Sequence, residues 1–509
     1  TANPTVSPTA NPTVSPTANP TVSPTANPTA LPTANPTASF SPTTEFLDVL
    51  ERTAAIDILR SISEIDITQM KDEDPRFKAA IWLMEKDQAN LKVKLDPPDH
   101  RQIHGEFVSA NRYAQRYILA VIYFALNGNE WAGAASTADG NNSFGGRKRR
   151  MRGDERINEI MMDKNMKIPS KAKPHRRVLS EDSDEPKHPF LSSVHECNWE
   201  FVGCEMTVIG IDKEGNKVRD SVVKNIVLPG ADSNGENPVP GRNVSGKLPG
   251  KELGKLKYLE EITMNHNKLA GSIPTELMAL DDLYWVDFTG NDMTGTVPQF
   301  GEGLQYLYMG DNDLSGELPA FEESKEYQMT HLWIYNNNLS GSIPATMGTN
   351  MKHMTMLLLY GNELSSVLPS TMDMLTSLTW LDLASNQLSG NLPDEFYSST
   401  SLENVYLNYN WFWGNVRPRI KNLVNLKELW LDNNYFSGEI TSGYRFLEEL
   451  TSLQLHNNSF TGELPEVFCD LVNPPSGAPL DVTLNCNRQL HTEWQDYVEC
   501  NCCTESQCI

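Results

Sequence analysis

Apolar positions in the second half of the chain recur with a period near 24 residues, and nine asparagines mark it: Asn267, Asn291, Asn312, Asn337, Asn362, Asn386, Asn410, Asn434 and Asn458. The intervals are 24, 21, 25, 25, 24, 24, 24 and 24 residues, and aliphatic, Met or Phe residues stand eight, five and three positions before each Asn. Leu378, Leu381, Leu383 and Asn386 show the register L-x-x-L-x-L-x-x-N, as do Leu426, Leu429, Leu431 and Asn434. Self-similarity at this period is the signature of a solenoid. Each unit predicts a short strand and a return loop that bury their apolar side only by stacking on a neighbour. Alternate strand residues point to opposite faces, so the leucines line a core and the residues between them face the other way. Each Asn stands where the chain leaves the strand, where its amide can pair backbone groups that would otherwise be buried alone. Gly271, Gly295, Gly316, Gly341, Gly390, Gly414, Gly438 and Gly462 follow four residues after an Asn and permit a sharp turn; Ser366 occupies that place in one repeat. The fold class expected is an α/β repeat solenoid of about ten repeats.

Upstream of the repeats the pattern changes. Residues 45–131 predict a helical amino-terminal cap, with apolar residues at helical spacing through Phe46, Leu47, Leu50, Ile56, Leu59 and again Ala79, Ile81, Trp82, Leu83. Its most apolar piece, Ala114–Leu126, is expected to pack against the first repeat and close the open end of the stack. Residues 132–195 have few aliphatics and many Gly, Ser, Lys and Arg, which predicts a disordered insertion. The repeat domain is placed at 196–468 and a Cys-rich carboxy-terminal cap at 469–509.

Residues 1–44 form a stalk built on an eight-residue unit, Thr-Ala-Asn-Pro-Thr-Val-Ser-Pro, that predicts extended polyproline-like chain suited to O-glycosylation and without a core. Its Asn-Pro-Thr triplets are not N-glycan acceptors because proline blocks the middle position. The chain opens in mid-repeat with no signal peptide and no apolar run long enough to span a bilayer, so a processed product with its targeting segment upstream of Thr1 is expected.

The formal net charge of −24 is unevenly spread. Residues 147–177 hold twelve Lys/Arg against four Asp/Glu, a net +8, which leaves −32 for the rest. For Arg147, Lys148, Arg149 and Arg150 a solvated loop, a basic processing site and a nucleic-acid or nuclear-import tract compete. An acidic folded part repels phosphate, so no nucleic-acid partner is expected. The basic loop could instead fold over the acidic solenoid as a salt-sensitive cover.

Cysteines occur only at the ends of the repeat region: Cys197 and Cys204 before it, and Cys469, Cys486, Cys500, Cys502, Cys503 and Cys508 after it. An even number confined to the ends suggests disulfides in an oxidising compartment. Zinc is the rival reading for the cluster Cys500, Cys502, Cys503, Cys508. Asn141, Asn243, Asn338 and Asn457 open N-x-S/T sequons, consistent with glycosylation of a secreted chain.

The segment Cys197-Asn198-Trp199-Glu200-Phe201-Val202-Gly203-Cys204 resembles the C-x-W-x-G-V-x-C amino-terminal cap of plant-type leucine-rich repeat proteins, with Phe201 in place of the usual Gly. The loops Leu339-Ser340-Gly341-Ser342-Ile343-Pro344 and Leu388-Ser389-Gly390-Asn391-Leu392-Pro393 are similar to that family's L-S-G-x-I-P signature. Gln115-Arg116-Tyr117 leading to Asn127-Gly128, and Cys500-Asn501-Cys502-Cys503-Thr504, resemble the caps of algal (diatom) extracellular members with a Pro/Thr stalk. The resemblance covers roughly residues 110–509. It implies a right-handed superhelix with disulfide caps, Cys197 and Cys204 in the first of them, at the cell surface or outside the cell. The relatives include receptor-kinase ectodomains and wall-hydrolase inhibitors, but this chain has no kinase motif. Arg417 replaces the usual Pro in the Asn410 repeat, and an insertion between Leu228 and Arg242 distorts the first.

Strand residues six, four and two before each Asn are expected on the concave side. These columns read Trp285 and Asp287; Tyr306 and Tyr308; His331, Trp333 and Tyr335; Leu358 and Tyr360; Trp380 and Asp382; Tyr406; Glu428, Trp430 and Asp432. Eight of the chain's ten Trp and sixteen Tyr fall in the columns of the repeats Asn312 to Asn434, with Trp285 just before them, so the enrichment is local. An exposed aromatic strip on a rigid surface predicts ligand binding, while rings that only stack across strands are the plainer alternative. The interleaved Asp287, Asp382 and Asp432 suit a neutral or cationic ligand, a peptide, protein or carbohydrate. No H-E-x-x-H or G-x-S-x-G motif occurs, the carboxylates sit in separate repeats, and no catalytic residue, metal or cofactor is expected. The function classes left are an extracellular ligand-binding module and a structural or adhesive wall protein dominated by its stalk, with an enzyme the weakest.

Overall fold

The computed structural model describes short segments between residues 57 and 128, Cys197, residues 201–211, 215–230 and 244–466, and scattered positions from Phe468 to Cys503. The stalk, the insertion at 132–195 and the basic tract at 147–177 lie outside the described residues. Contacts divide the chain into Thr1–Asp48 and Val49–Ile509, and all that follows concerns the second unit.

Each repeat contributes a three-residue strand to one sheet of twelve strands among the described residues. From Lys217–Val227 onward every pairing is parallel, with equivalent residues opposite one another, as in Trp380↔Asn404, Leu381↔Val405 and Asp382↔Tyr406. The middle residue of each strand, such as Leu307, Leu357, Leu381 or Leu429, is at most 1% exposed and enters one core that runs from Leu59 to Cys503. A one-residue slip would turn every such leucine to the other face, so the pattern itself specifies the register.

The asparagines form a continuous ladder. Asn337 donates through Nδ2 to the carbonyls of Met309 in the preceding repeat (3.0 Å) and Tyr335 in its own (2.9 Å), while its Oδ1 accepts from Leu314 N–H at 2.9 Å. The same arrangement recurs at Asn386, Asn410 and Asn434. Each side chain therefore ties one turn to the one before it.

The return segment holds more order than a loop. After each Asn the chain makes a second short strand, and these build an eleven-stranded parallel sheet along another flank. The residue two places after the Asn, Leu388, Phe412 or Phe436 for example, is its buried member. The turn that ends these strands needs a positive φ, 84° at Gly390 and 82° at Gly414, and Ser366 adopts 76° with a side chain attached. A non-glycine residue pays about 1 to 2 kcal/mol for that conformation, partly offset by the greater unfolded freedom of glycine. Ser366→Gly is accordingly expected to stabilise the protein by about 0.5 to 1 kcal/mol, read as a raised urea midpoint; an unchanged or lower midpoint would mean the Ser366 side chain compensates its own strain. A short helix or 3-10 turn follows in most repeats, such as Ala345–Asn350 or Asp394–Ser398. The 21-residue interval before Asn312 has none among the described residues. Arg417 replaces proline where its N–H can donate to Tyr397 Oη at 3.1 Å, a bond proline could not make, and its guanidinium pairs with Asp394.

Before the first repeat the chain forms an antiparallel hairpin, Val202–Ile211 with Lys217–Val227, which period reading had not separated from the solenoid. The helix Ala110–Ala125 packs on it, and Gln115 bonds both the Ser221 carbonyl (3.0 Å) and the Val223 N–H (2.5 Å). The helix Pro75–Ile81 is tied to the first repeat by Arg76 Nε to Glu252 Oε1 at 2.5 Å, with the Glu252 side chain fully buried. Region 45–131 is not purely helical, since Lys92–Val93 pairs in parallel with Phe107–Val108. Cys197 and Cys204 form a disulfide. Cys500 and Cys503 form another, which takes two of the four thiols that the zinc reading requires.

Candidate functional site

The columns anticipated on the strand sequence do meet on one face of the twelve-stranded sheet, opposite the leucine core. Strands at ~4.8 Å spacing place equivalent side chains side by side, and flat rings then lie against one another. Ring centroids are 4.9 Å apart for Trp285 and Tyr306, 4.5 Å for Tyr308 and Trp333, 4.9 Å for the stacked pair Tyr335 and Tyr360, and 5.1 Å for Tyr406 and Trp430. Met356, Leu358 and Ala384 fill the gap between the two aromatic runs. Tyr335 leans into space left by Gly310, where an added Cβ would lie 2.2 Å from its ring.

The exposed strip expected from the sequence is corrected here. Trp285, Tyr306, Tyr308, Trp333, Tyr335, Tyr360 and Tyr406 are at most 6% exposed, and only Trp380 and Trp430 are half-buried. Strand alternation assigns a side chain to a face, but how far its neighbours cover it depends on packing between repeats. The rings are nonetheless outside the coil, in a cluster separate from the leucine core.

The polar groups on this face divide into two kinds. Tyr308 Oη meets His331 Nδ1 at 2.8 Å, Tyr406 Oη donates to Glu428 at 2.8 Å, and Trp430 Nε1 donates to Ser452 Oγ at 3.1 Å. The indole N–H groups of the buried Trp285 and Trp333, and of the half-buried Trp380, find no acceptor among the described residues. The three aspartates serve the backbone and its neighbours: Asp287 accepts from Thr289 N–H, Asp382 from Ala384 N–H, and Asp432 from the Asn433 amide.

Desolvation pushes the Asp287 carboxyl up to about 6 against the opposing Thr289 bond, and lowers His331 to about 4, so the imidazole is neutral at pH 7. For Asp287 the folded chain holds its proton more tightly than the unfolded one between about pH 4 and pH 6, and stability from this group is lost as pH rises through that window. His331 has the opposite sign, gaining stability as pH rises from about 4 toward 6.5. Asp287→Asn keeps the acceptor and removes only the ionisation. It is expected to melt higher than the parent at pH 7 and level with it at pH 4, His331 contributing equally to both proteins; the same gain at both pH values would show that ionisation is not the cause.

Comparison with known proteins agrees with the strand stack. Residues 328–388 match the family described as Leucine rich repeat, and 425–447 and 449–471 match a second description, Leucine Rich Repeat. The stacked units are leucine-rich repeats. Residues 1–40 match a family described as PT disordered repeat. Comparison with curated proteins finds no match. Among solved structures, the plant peptide hormone receptor RGFR1 in complex with RGF2 is 30% identical over 43% of this chain and 39% of its own, at a TM-score of 0.39. A TDR receptor is 27% identical over 48% and 45%, at 0.41, and a plant ice-binding protein is 21% identical over 57% and 89%, at 0.44. The chain spans less than half the length of the two receptors.

The leucine-rich repeats also carry rings outside these columns. On the second sheet Trp411, Trp413 and Tyr435 are 51%, 53% and 61% exposed, the reverse of the ring columns. The signal was present in the sequence, since outward positions of other repeats on that flank hold residues such as Asp292, Thr294, Gln387 and Ser389. Of the sequon asparagines, Asn457 is exposed and Asn338 half-buried, whereas Asn141 and Asn243 lie outside the described residues. No group of His, Cys, Asp and Glu suited to hold a metal occurs among the described residues.

Proposed function

We propose that the protein is an extracellular or cell-surface ligand-binding protein, receptor-like or inhibitor-like and without catalytic activity, that recognises a peptide, protein or carbohydrate on the concave face of its repeats. The observation that carries this reading is the cluster of side-by-side aromatic rings from Trp285 to Tyr406 on a face the fold does not use for its main core. Half-buried Trp380 and Trp430 offer flat anchors beside them. No described helix is long and apolar enough to cross a membrane. A structural or adhesive wall role is the second reading, favoured by the Pro/Thr repeat at 1–40.

The test is binding of the full chain to peptide and glycan arrays beside Trp333→Ala, Trp430→Ala. Loss of about 2 kcal/mol or more per hot-spot ring is expected. Retention of every array signal in a folded double variant would move binding off this face, and no signal from the parent would leave the structural role.

A further inference from the structure

We propose that the flank of the second sheet holds a separate site for a neutral oligosaccharide, built on Trp411 and Tyr435. A recess of about 520 Å³ opens there, and its lining includes Ser385, Tyr409, Trp411, Asn433, Tyr435 and Asn457. It is independent of the ring columns, because none of its lining residues belongs to them.

The rings are not there for the fold. In the strands Trp411–Gly414 and Tyr435–Glu439 the core is served by Phe412 and Phe436, both 0% exposed, while Trp411 and Tyr435 on the alternate positions stand 51% and 61% exposed. Trp413 lies opposite Tyr435 in the register and extends the patch to three rings. Contiguous exposed aromatics on an otherwise polar flank mark a binding surface.

The chemistry of the recess selects the ligand class. Every lining residue is uncharged, in a chain of net charge −24. Neither a phosphate nor an ammonium group would find a counter-charge in it, which disfavours nucleotides and basic peptides. A peptide added as an extra strand would need a free sheet edge, but both strands are interior to the eleven-stranded sheet with a neighbour on each side. What remains is flat apolar faces beside carboxamides. Asn457 Nδ2 donates to Asn433 Oδ1 at 2.9 Å, Asn433 Nδ2 donates to Asp432 at 2.7 Å, and this leaves the Asn457 carbonyl as an acceptor and one hydrogen on each amide as a donor. A pyranose matches both features, with a C–H face to lie on an indole or phenol and equatorial hydroxyls that give and take hydrogen bonds at the amides.

One other source of the same chemistry is at hand, since Asn457-Asn458-Ser459 is a sequon whose Asn457 lines the recess, and a glycan on Asn457 could occupy it. The proposal commits to an external saccharide, because the rings come from the strands of two repeats while the sequon supplies one lining residue, Asn457.

Isothermal titration of the full-length protein with cellohexaose, laminarihexaose and mannohexaose, and with hexagalacturonate as the charged probe, tests it. At least one neutral hexaose is expected to bind, Trp411→Ala and Tyr435→Ser each to weaken it about tenfold or more, and hexagalacturonate to bind at least as weakly as the variants. Both substitutions are at exposed positions, and melting temperatures within a degree or two of the parent confirm that the loss is local. Failure of all three neutral hexaoses overturns the site, as does unchanged affinity in both variants or equal binding of the charged probe. Ser459→Ala, which removes the sequon and leaves the lining intact, separates the two sources: binding by both forms supports an external ligand, and binding by the Ser459→Ala form alone assigns the recess to the chain's own glycan and rejects the proposal. Failure here leaves the concave-face reading untouched, because Trp333 and Trp430 are absent from the recess.

Discussion

Asn337→Ala is expected to lower the stability of the repeat domain by about 3 kcal/mol, a loss far above that of an ordinary surface substitution. Asn337 is 1% exposed, and its carboxamide serves carbonyls of Met309 and Tyr335 and the N–H of Leu314. Alanine leaves these backbone groups buried, and each unpaired group costs about 1 to 3 kcal/mol before any relaxation. Because the bonds join consecutive turns, the loss falls on the nearest-neighbour interface that holds a solenoid together. Urea unfolding and amide exchange at Leu314 and its neighbours would read the effect. A loss below about 1 kcal/mol would mean that the turn finds other partners, and the ladder would then be incidental.

Phe436→Ala is the second large effect, expected at about 3 to 5 kcal/mol. The ring is fully buried and lies between Phe412, 6.0 Å away at 13° between planes, and Phe460, 6.3 Å away at 9°. The spacing of this stack is set by hydrogen bonds of the parallel strands, so the neighbours cannot close the cavity as a loosely tethered core could. The adjacent Tyr435→Ala provides the contrast: a larger ring, 61% exposed, whose loss should stay within about 0.5 kcal/mol. Equal urea midpoints for the two variants would contradict the two-sided reading of this strand.

Much of the architecture was legible because a period is a local property. Leu378, Leu381 and Leu383 declare a buried face by spacing alone, and Asn386 declares the end of the strand by its chemistry. The second sheet was less legible, since a strand such as Gln387–Gly390 carries one apolar residue between polar ones and reads as loop until its parallel neighbours pair with it. The hairpin Val202–Ile211 and Lys217–Val227 was missed for a related reason: antiparallel pairing leaves no mark at the repeat period.

The candidate site divides along the same line. Membership of a face followed from strand alternation, and the structure brings Trp285, Tyr308, Trp333 and Tyr406 together on it. Their coverage and the indoles with no acceptor among the described residues did not follow, because both depend on distances between repeats. Trp411 and Tyr435 belong to the second sheet, in strands that lie outside the ring columns of the first.

By itself the sequence determined the stack of leucine-rich turns, the place of each ladder asparagine and the face to which every ring is assigned. These follow from alternation and period, which act through the backbone geometry of a few consecutive residues. Only the tertiary structure decided which rings are covered and which stand in water, which donors lack acceptors, and that a second sheet with its own recess runs along the flank. Those properties belong to side chains some 24 residues apart in the chain and a few ångströms apart in space, and no local pattern encodes such distances.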